Sequence, residues 1–484
     1  MAKSIYKNAF FKSILSFCNI AIPLLVIPYV YRILDPKTIG SIEYGNTLYI
    51  YFFIFGSLGI YGYGLREISK VRDKPELVEN IYHNLFSIGL ISNGIVFLLF
   101  VIFAFIGFEN GSFRNILLIF SLGLISNALY TEWINEAYEE FLFITVKTLI
   151  IRVLSVVAIF LFIAKKTDYY SYVFITVLVL FLNNLVSFIY ALRYTKFSFN
   201  FKSIEWRKYL PPLFFILILN NTNVFYTILD KTMLGVYTKV ELVAFYSLGQ
   251  KIMEIVRALL MTAIFVSMPR LSFYLENDYN HYKSALKDLS RLILFIAIPS
   301  SIGLILMSKE VVLLFAGEQY SPAIITTQIF SFRILVLSLD SIITQQVLFL
   351  HGKERIIIIF NVVFGLLNLS LKYLFISRLS PSIAIATTTF CEILLICGEL
   401  IFIKRYLKLD ISLLSKSTGL YLGSVLLFVP IVFLVHKLTD SNMYVLVLSI
   451  IFCTIFYLGS MVLFREPFTI QLLGEIRKKL KKML

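Results

Sequence analysis

Apolar runs dominate this chain. About fourteen follow one another from Ser13 to Phe464, and no polar break between them exceeds about twenty residues. They fall at 13–34, 43–65, 81–107, 114–137, 144–164, 170–192, 211–234, 241–268, 290–308, 322–350, 356–377, 383–404, 417–437 and 444–464. A helix crosses a bilayer's hydrocarbon core in about 17 to 25 residues. The pattern therefore predicts an all-α polytopic membrane protein with about fourteen transmembrane helices and no room for a soluble catalytic domain. Work done inside the bilayer points to moving a substrate more than to transforming one. The first stretch is too long for a signal-peptide core and lacks a small-residue cleavage site, so it is expected to remain as helix 1.

The longest polar breaks are 66–80, 193–210 and 269–289, and the middle one separates six spans from eight. Across it runs a faint internal repeat. IEYGNTLYI (42–50) and FYSLGQKIM (245–253) align Gly45-Asn46 with Gly249-Gln250, and at the same offset Asn19 meets Asn223. Parallel repeats of this kind are a common transporter architecture. The expected parse is two pseudo-symmetric six-helix lobes, 1–200 (helices 1–6) and 201–410 (helices 7–12), followed by 411–484 with helices 13–14 and a basic cytoplasmic tail. In that tail Leu472, Leu473, Ile476, Leu480 and Leu484 stand against Arg477, Lys478, Lys479, Lys481 and Lys482. The stretch reads either as an amphipathic helix on the anionic inner leaflet or as a solvated tail.

Composition supports the span count: 59% of the 484 residues are hydrophobic and only 15% are charged. A net charge of +15 would suit nucleic acid, but its placement does not. With both termini cytoplasmic, Lys and Arg favour the inner loops by about three to one, the positive-inside signature. The excess is topology; no nucleic-acid partner is expected, and the location is the cytoplasmic (inner) membrane with N and C termini inside. Cys18, Cys391, Cys397 and Cys453 all fall within spans, and His83, His281, His351 and His436 show no ligand spacing, so no metal site is expected. No phosphate loop, H-E-x-x-H or G-x-S-x-G occurs. The expectation is a non-enzyme with no cofactor and no catalytic residue.

The informative residues are charges at membrane depth, each costing about 2.5 to 3.5 kcal/mol at mid-helix on insertion scales. Lys251, Glu254 and Arg257 recur every three residues on one face of helix 8, beside Gln250. Helix 10 carries Arg333 and Asp340, helix 7 Asp230-Lys231, helix 11 Lys372, helix 12 Glu392 and Glu399, and helix 5 Arg152. Two readings compete. The charges are interhelical ion pairs, Asp230 with Lys251 for example, or they line a water-filled cationic cavity for a phosphate or diphosphate. Cations on neighbouring helices with few acids at the same depth favour the second reading, and Arg suits bidentate phosphate contact. Lys251, Arg257, Arg333 and Lys372 are then the substrate-binding candidates; Glu254, Asp340 and Glu392 are coupling or ion-pair candidates. The run Glu132, Asn135, Glu136, Glu139, Glu140 reads as a solvated helix end.

At these residues a family resemblance emerges. IPYVYRILDPKTIGSIEYGNTLYIYFF (27–53), GLREISKVRD (64–73), TILDKTMLG (227–235) and AFYSLGQKI (244–252) resemble the helix 1–2 hairpin, first cytoplasmic loop and helix 7–8 hairpin of the polysaccharide-biosynthesis flippases. These are the Wzx-type O-antigen and capsule repeat-unit transporters of the multidrug/oligosaccharidyl-lipid/polysaccharide exporter superfamily. The resemblance implies two six-helix lobes around an alternately opening cleft, as in MATE transporters. It also implies the activity, translocation of a polyprenyl-diphosphate-linked (undecaprenyl-type) oligosaccharide. By motif position Arg32, Arg66, Asp230 and Lys231 carry over as family-typical positions, whereas Ala244 stands where Gly is common. The implied partners are that lipid-linked substrate, membrane lipids, a polysaccharide polymerase and a chain-length regulator. Two alternatives stay open: a cation-coupled multidrug exporter of the same fold, and a membrane polymerase or glycosyltransferase.

Overall fold

The computed structural model describes residues 5–196, 204–221, 224, 226–409, 415–470 and 474, with side chains from Cys18 onward apart from those of 19, 219 and 220. The basic amphipathic stretch at 472–484 and the Asn19–Asn223 match lie outside the described residues or side chains. Among the described residues there is no strand. Eleven helical stretches among the described residues are long and apolar enough to cross a membrane, and Ile20–Ile33 and Ser112–Ala128 are shorter apolar helices. Their outer faces carry side chains such as Ile106, Val266 and Leu374, each more than three-quarters exposed. Only lipid is a suitable solvent for such a surface, because helices satisfy their own backbone groups there. The chain is an all-α, multi-pass membrane protein.

It divides into two compact units, Met1–Val224 with Lys231–Ala244, and Phe225–Asp230 with Phe245–Leu484. The boundary passes through α10 and α11. In the first unit run α1 (Ile5–Ile33), α2 (Pro36–Ser57), α3 (Ile60–Val71), α4 (Pro75–Gly107), α5 (Ser112–Ala128), α6 (Glu132–Ala137), α7 (Phe141–Phe162), α8 (Tyr169–Ala191) and α9 (Trp206–Asn220). Then come α10 (Thr227–Tyr237) and α11 (Val240–Asn277). The second unit continues with α12 (Tyr279–Leu306), α13 (Ser308–Ala316), α14 (Ala323–Ser341), α15 (Glu354–Leu374), α16 (Pro381–Phe402), α17 (Lys416–Val425), α18 (Phe428–Leu438) and α19 (Asn442–Leu463).

Local chemistry sets the helix ends. Asp35 caps α2, accepting from Thr38 N at 2.8 Å, and Pro36 at the first position supplies a helical φ with no amide left to satisfy. Ser380 and Pro381 start α16 in the same way. The span expected at 43–65 is broken at Leu58 and Gly59, both left-handed, with φ of 46° and 72°. Glycine is required at 59: a Cβ there would lie 2.9 Å from Leu217 N and 3.0 Å from Leu213 O of α9. The span expected at 114–137 divides into α5 and α6, and that at 211–234 into α9 and α10. Conversely, the polar break at 269–289 is helical, because α11 runs to Asn277 and α12 restarts at Tyr279. Its Leu, Glu, Lys and Ala residues are good helix formers whether or not they are apolar.

Within the first unit α5 lies in the middle, packed on α2, α4 and α8, while α3 lies on α4, α6 and α9. In the second, α14 holds that central place between α12 and α16, with α15 on α16 and α17 on α12. Two π-helical turns interrupt this unit: Ile342–Phe349 after α14 and Ile403–Leu407 after α16.

Candidate functional site

Charged candidates of the second unit gather in its interior, with Asp230, Arg333, Lys372 and Glu392 buried and Asp340 partly so, whereas Glu254 is exposed. Lys372, on α15, is fully buried. Its ammonium lies 2.6 Å from Asp230 Oδ1, 2.5 Å from Asn368 Oδ1 one turn earlier on the same helix, and 3.0 Å from Thr388 Oγ1 on α16. Three donors meet three oxygens, so the ammonium is saturated. Asp230 also accepts from Tyr246 Oη at 2.6 Å and from Thr388 Oγ1 at 2.7 Å. A buried charge is tolerated only when paired and hydrogen-bonded, and both conditions hold here.

A second pair joins α14 to α16. Arg333 donates from Nε to Glu392 Oε2 at 2.7 Å and from Nη2 to Oε1 at 2.5 Å, a bidentate fork with both residues buried. Around it stand Arg257 of α11 and two more acids. Asp340 Oδ1 and Glu399 Oε2 share the Thr344 hydroxyl, at 3.1 and 3.2 Å, and among the described residues neither acid makes an ion pair. The Nε of Arg257 is buried and donates to no acceptor among the described residues. The charges acting on Arg257 are Arg333, Asp340, Glu254 and Glu392. Glu254 accepts from Gln250 Nε2 at 2.7 Å on its own helix.

Two expectations need correction. Asp230 takes Lys372 as its ion-pair partner, in place of the Lys251 offered as an example. The cations are also not short of acids at their depth: Arg333 and Lys372 each hold a carboxylate, and Asp340 and Glu399 add two more. Asn368, Thr388, Tyr246 and Thr344 were missed because they are uncharged. Asn368 was within reach, lying four residues before Lys372 and so on its face of the helix.

Lys251 lies on α11 in the second unit, half-buried, and the other three candidates lie in the first unit. Lys231 Nζ is 3.3 Å from Glu43 Oε2, both side chains being largely buried. Arg66 is exposed and pairs with its neighbour Glu67 at 2.9 Å, and Arg32 is exposed as well. The acidic run, which lies in and just after α6, is not a solvated end. Glu132 pairs with buried Lys147, which also donates to Ser187 Oγ at 2.6 Å. Asn135 is fully buried and donates to Ser187 O at 3.2 Å.

Among the described residues this arrangement offers no nucleophile with its base. It holds charge at membrane depth, as transporters do. Comparison with known proteins agrees. The fold matches that of the lipid II flippase MurJ in an inward closed conformation, with a TM-score of 0.75 at 16% identity over 95% of this chain and 99% of that one. It also matches an inward-facing multidrug resistance MATE family transporter of the MOP superfamily, with a TM-score of 0.54 at 13% identity over 81% and 96%. The fold is that of these multi-pass membrane transporters. Residues 5–274, more than half of the chain, match the family described as "Polysaccharide biosynthesis protein", and the chain belongs to that family. Two curated relatives carry the name "Putative O-antigen transporter". One, from Shigella dysenteriae, is 24% identical over 72% of this chain and 88% of its own length. The other, from Escherichia coli K12, is 22% identical over 76% and 89%.

Proposed function

We propose that the chain is a flippase carrying polyprenyl-diphosphate-linked oligosaccharide repeat units across the cytoplasmic membrane for O-antigen or capsule synthesis. It works by alternating access, with both termini inside. The observation that carries this reading is the charge network buried in the second unit of a polysaccharide-biosynthesis family member. An amphiphile whose tail stays in the bilayer needs a polar route only for its diphosphate and sugars. Lys372 is saturated by Asp230, Asn368 and Thr388, and Arg333 is neutralised by its bidentate fork with Glu392. The diphosphate contact therefore falls to Arg257, with Lys251 six residues earlier on the same helix. The names of the two curated relatives support the substrate class. A polymerase and a chain-length regulator are the proteins that would take the product onward.

Asp340 and Glu399 favour a second reading, in which a cation taken up between them drives export of a drug on the same fold. Deleting the gene separates the two. The flippase requires loss of surface polymer, with lipid-linked repeat units accumulating on the inner leaflet. Intact polymer with raised dye retention would overturn it in favour of the exporter. Arg257→Gln should leave protein amount unchanged and lower flipping about 10- to 100-fold, the equivalent of about 1.5 to 3 kcal/mol for a hydrogen bond to a charged group. Arg257→Lys should keep part of the activity, because charge is retained while the fork is lost.

A further inference from the structure

The first unit holds a cavity of about 360 Å³, walled by α2 to α6, α8 and the end of α9, and its chemistry is the opposite of the charge network. No Lys, Arg, His, Asp or Glu side chain lines it. Its walls present the rings of Tyr49, Tyr130 and Trp133 and the amides of Asn127, Asn184 and Asn221. The orientation of each amide is determined by a partner that can only accept. Asn184 Nδ2 donates to Ser126 O at 3.1 Å and Asn221 Nδ2 to Leu217 O at 2.8 Å. Asn93 spends its own Nδ2 on Gly56 O and Gly89 O, so its oxygen must accept from Asn127 Nδ2, at 2.9 Å. Three amide carbonyl oxygens remain, on residues that line the cavity, and none accepts a hydrogen bond among the described residues.

A ligand suited to these walls donates hydrogen bonds, lays an apolar face on aromatic rings and carries no charge. A charged group would lose its hydration here and find no counter-charge in the lining, and Glu136, just behind it, already accepts from Tyr61 Oη at 3.0 Å. The volume lies within the range of small-molecule sites. Sugar rings meet every condition: their hydroxyls donate, and their C–H faces pack on aromatic rings. We infer that this cavity is a binding site for a neutral sugar ring of the transported oligosaccharide, separate from the charges that meet the diphosphate. The inference rests on the flippase reading and adds a sugar site in the other unit.

Trp133 is a built-in reporter, since the chain has only one other tryptophan, Trp206. The full-length Trp206→Phe protein in lipid nanodiscs is titrated with the oligosaccharide released by mild acid from lipid extracts of the host strain lacking this gene. The expected result is a saturable change in Trp133 fluorescence. Asn127→Leu, Asn184→Leu and, separately, Tyr130→Leu should each raise the half-saturating concentration at least tenfold, while Arg257→Gln leaves it unchanged. Oligogalacturonate of matched length should give no saturable change. Tyr130→Leu removes a ring without touching the amides, so it tests the wall even where an amide variant fails to fold. No saturable change, a change that survives all three wall variants, or equal binding of the uronate overturns the sugar site alone. If the deletion strain accumulates no lipid-linked oligosaccharide, the flippase reading falls and the sugar site falls with it.

Discussion

The two units place the same kind of contact at matching positions and then fill their interiors differently. In the first, Gly45 of α2 lies against α5, where a Cβ would meet Ile116 Cγ2 at 3.1 Å. In the second, Gly249 of α11 lies against α14, where a Cβ would meet Phe330 Cδ2 at 2.9 Å. These are the two glycines that the internal repeat aligns, and each lets a helix approach the central helix of its own unit closely, as small residues do in membranes. Both units also bury ion pairs, Lys147 with Glu132 and Lys231 with Glu43 in the first, but their central chemistry differs. The first unit surrounds a cavity of rings and amides without charge, and the second buries carboxylates against arginine and lysine. The repeat thus preserves backbone approach, whereas the polar interior is free to specialise.

The largest expected effect comes from stranding a charge in the second unit. Lys372→Met leaves the Asp230 carboxylate fully buried with hydroxyl donors only. Breaking a buried pair from one side costs about 3 to 5 kcal/mol. Protein yield and melting temperature should fall sharply, and Asp230→Asn in the same chain should restore most of both. In the first unit Lys147→Met removes the partner of Glu132, whose side chain is 23% exposed and can draw on solvent. Its penalty should be clearly smaller. Equal losses from the two substitutions would break the contrast between the units.

Overpacking comes next. Gly249→Ala places a methyl 2.9 Å from Phe330 and 3.3 Å from the Thr327 backbone, whereas Gly45→Ala meets only the ends of side chains, at 3.1 to 3.5 Å. Overpacking a close contact costs about 1 to 3 kcal/mol. Gly249→Ala should sit toward the upper end and Gly45→Ala toward the lower, read as the drop in melting temperature of the purified protein. A reversal of that order would show that the two contacts are not equivalent.

Much of this architecture was legible in the hydropathy pattern, because a membrane helix must be apolar along its length and a charge inside it stands out. Arg333, Lys372 and Asp340 were visible for that reason. Their partners were not. Asp230 reaches Lys372 from a helix far away in the chain, and nothing in one-dimensional spacing favours Lys372 over Lys251. Helix breaks fared no better: Leu58 carries no turn signature, and only the backbone of α9 beside Gly59 explains the stop. The cavity was invisible from sequence, since Asn93, Asn127 and Asn184 look like isolated polar residues within apolar spans until three helices bring them together.

The smallest effect sharpens the contrast from outside the membrane. Asp278 caps α12 between two spans, accepting from His281 N at 3.0 Å and Asn280 N at 3.1 Å, with His281 Nδ1 at 2.7 Å. These hydrogen bonds, the His281 amide first, hold its carboxyl below the usual aspartate range. Its folded pKa is therefore lower than the unfolded value of about 3.9. Stability from the cap is complete above that unfolded value and is lost as pH falls through the lowered folded one. Asp278→Ala should lower the melting temperature slightly at pH 7, and the difference from the parent should shrink below about pH 4. Asp278→Ser keeps a neutral cap, so its difference from the parent should narrow over the same range while staying smaller at pH 7. Both substitutions remove one member of an acid–base pair, as Lys372→Met does. Water screens the pair at Asp278, and the protein alone must compensate at Lys372. A loss at Asp278 as large as that at Lys372 would mean that burial is not what gives the second unit's charges their weight.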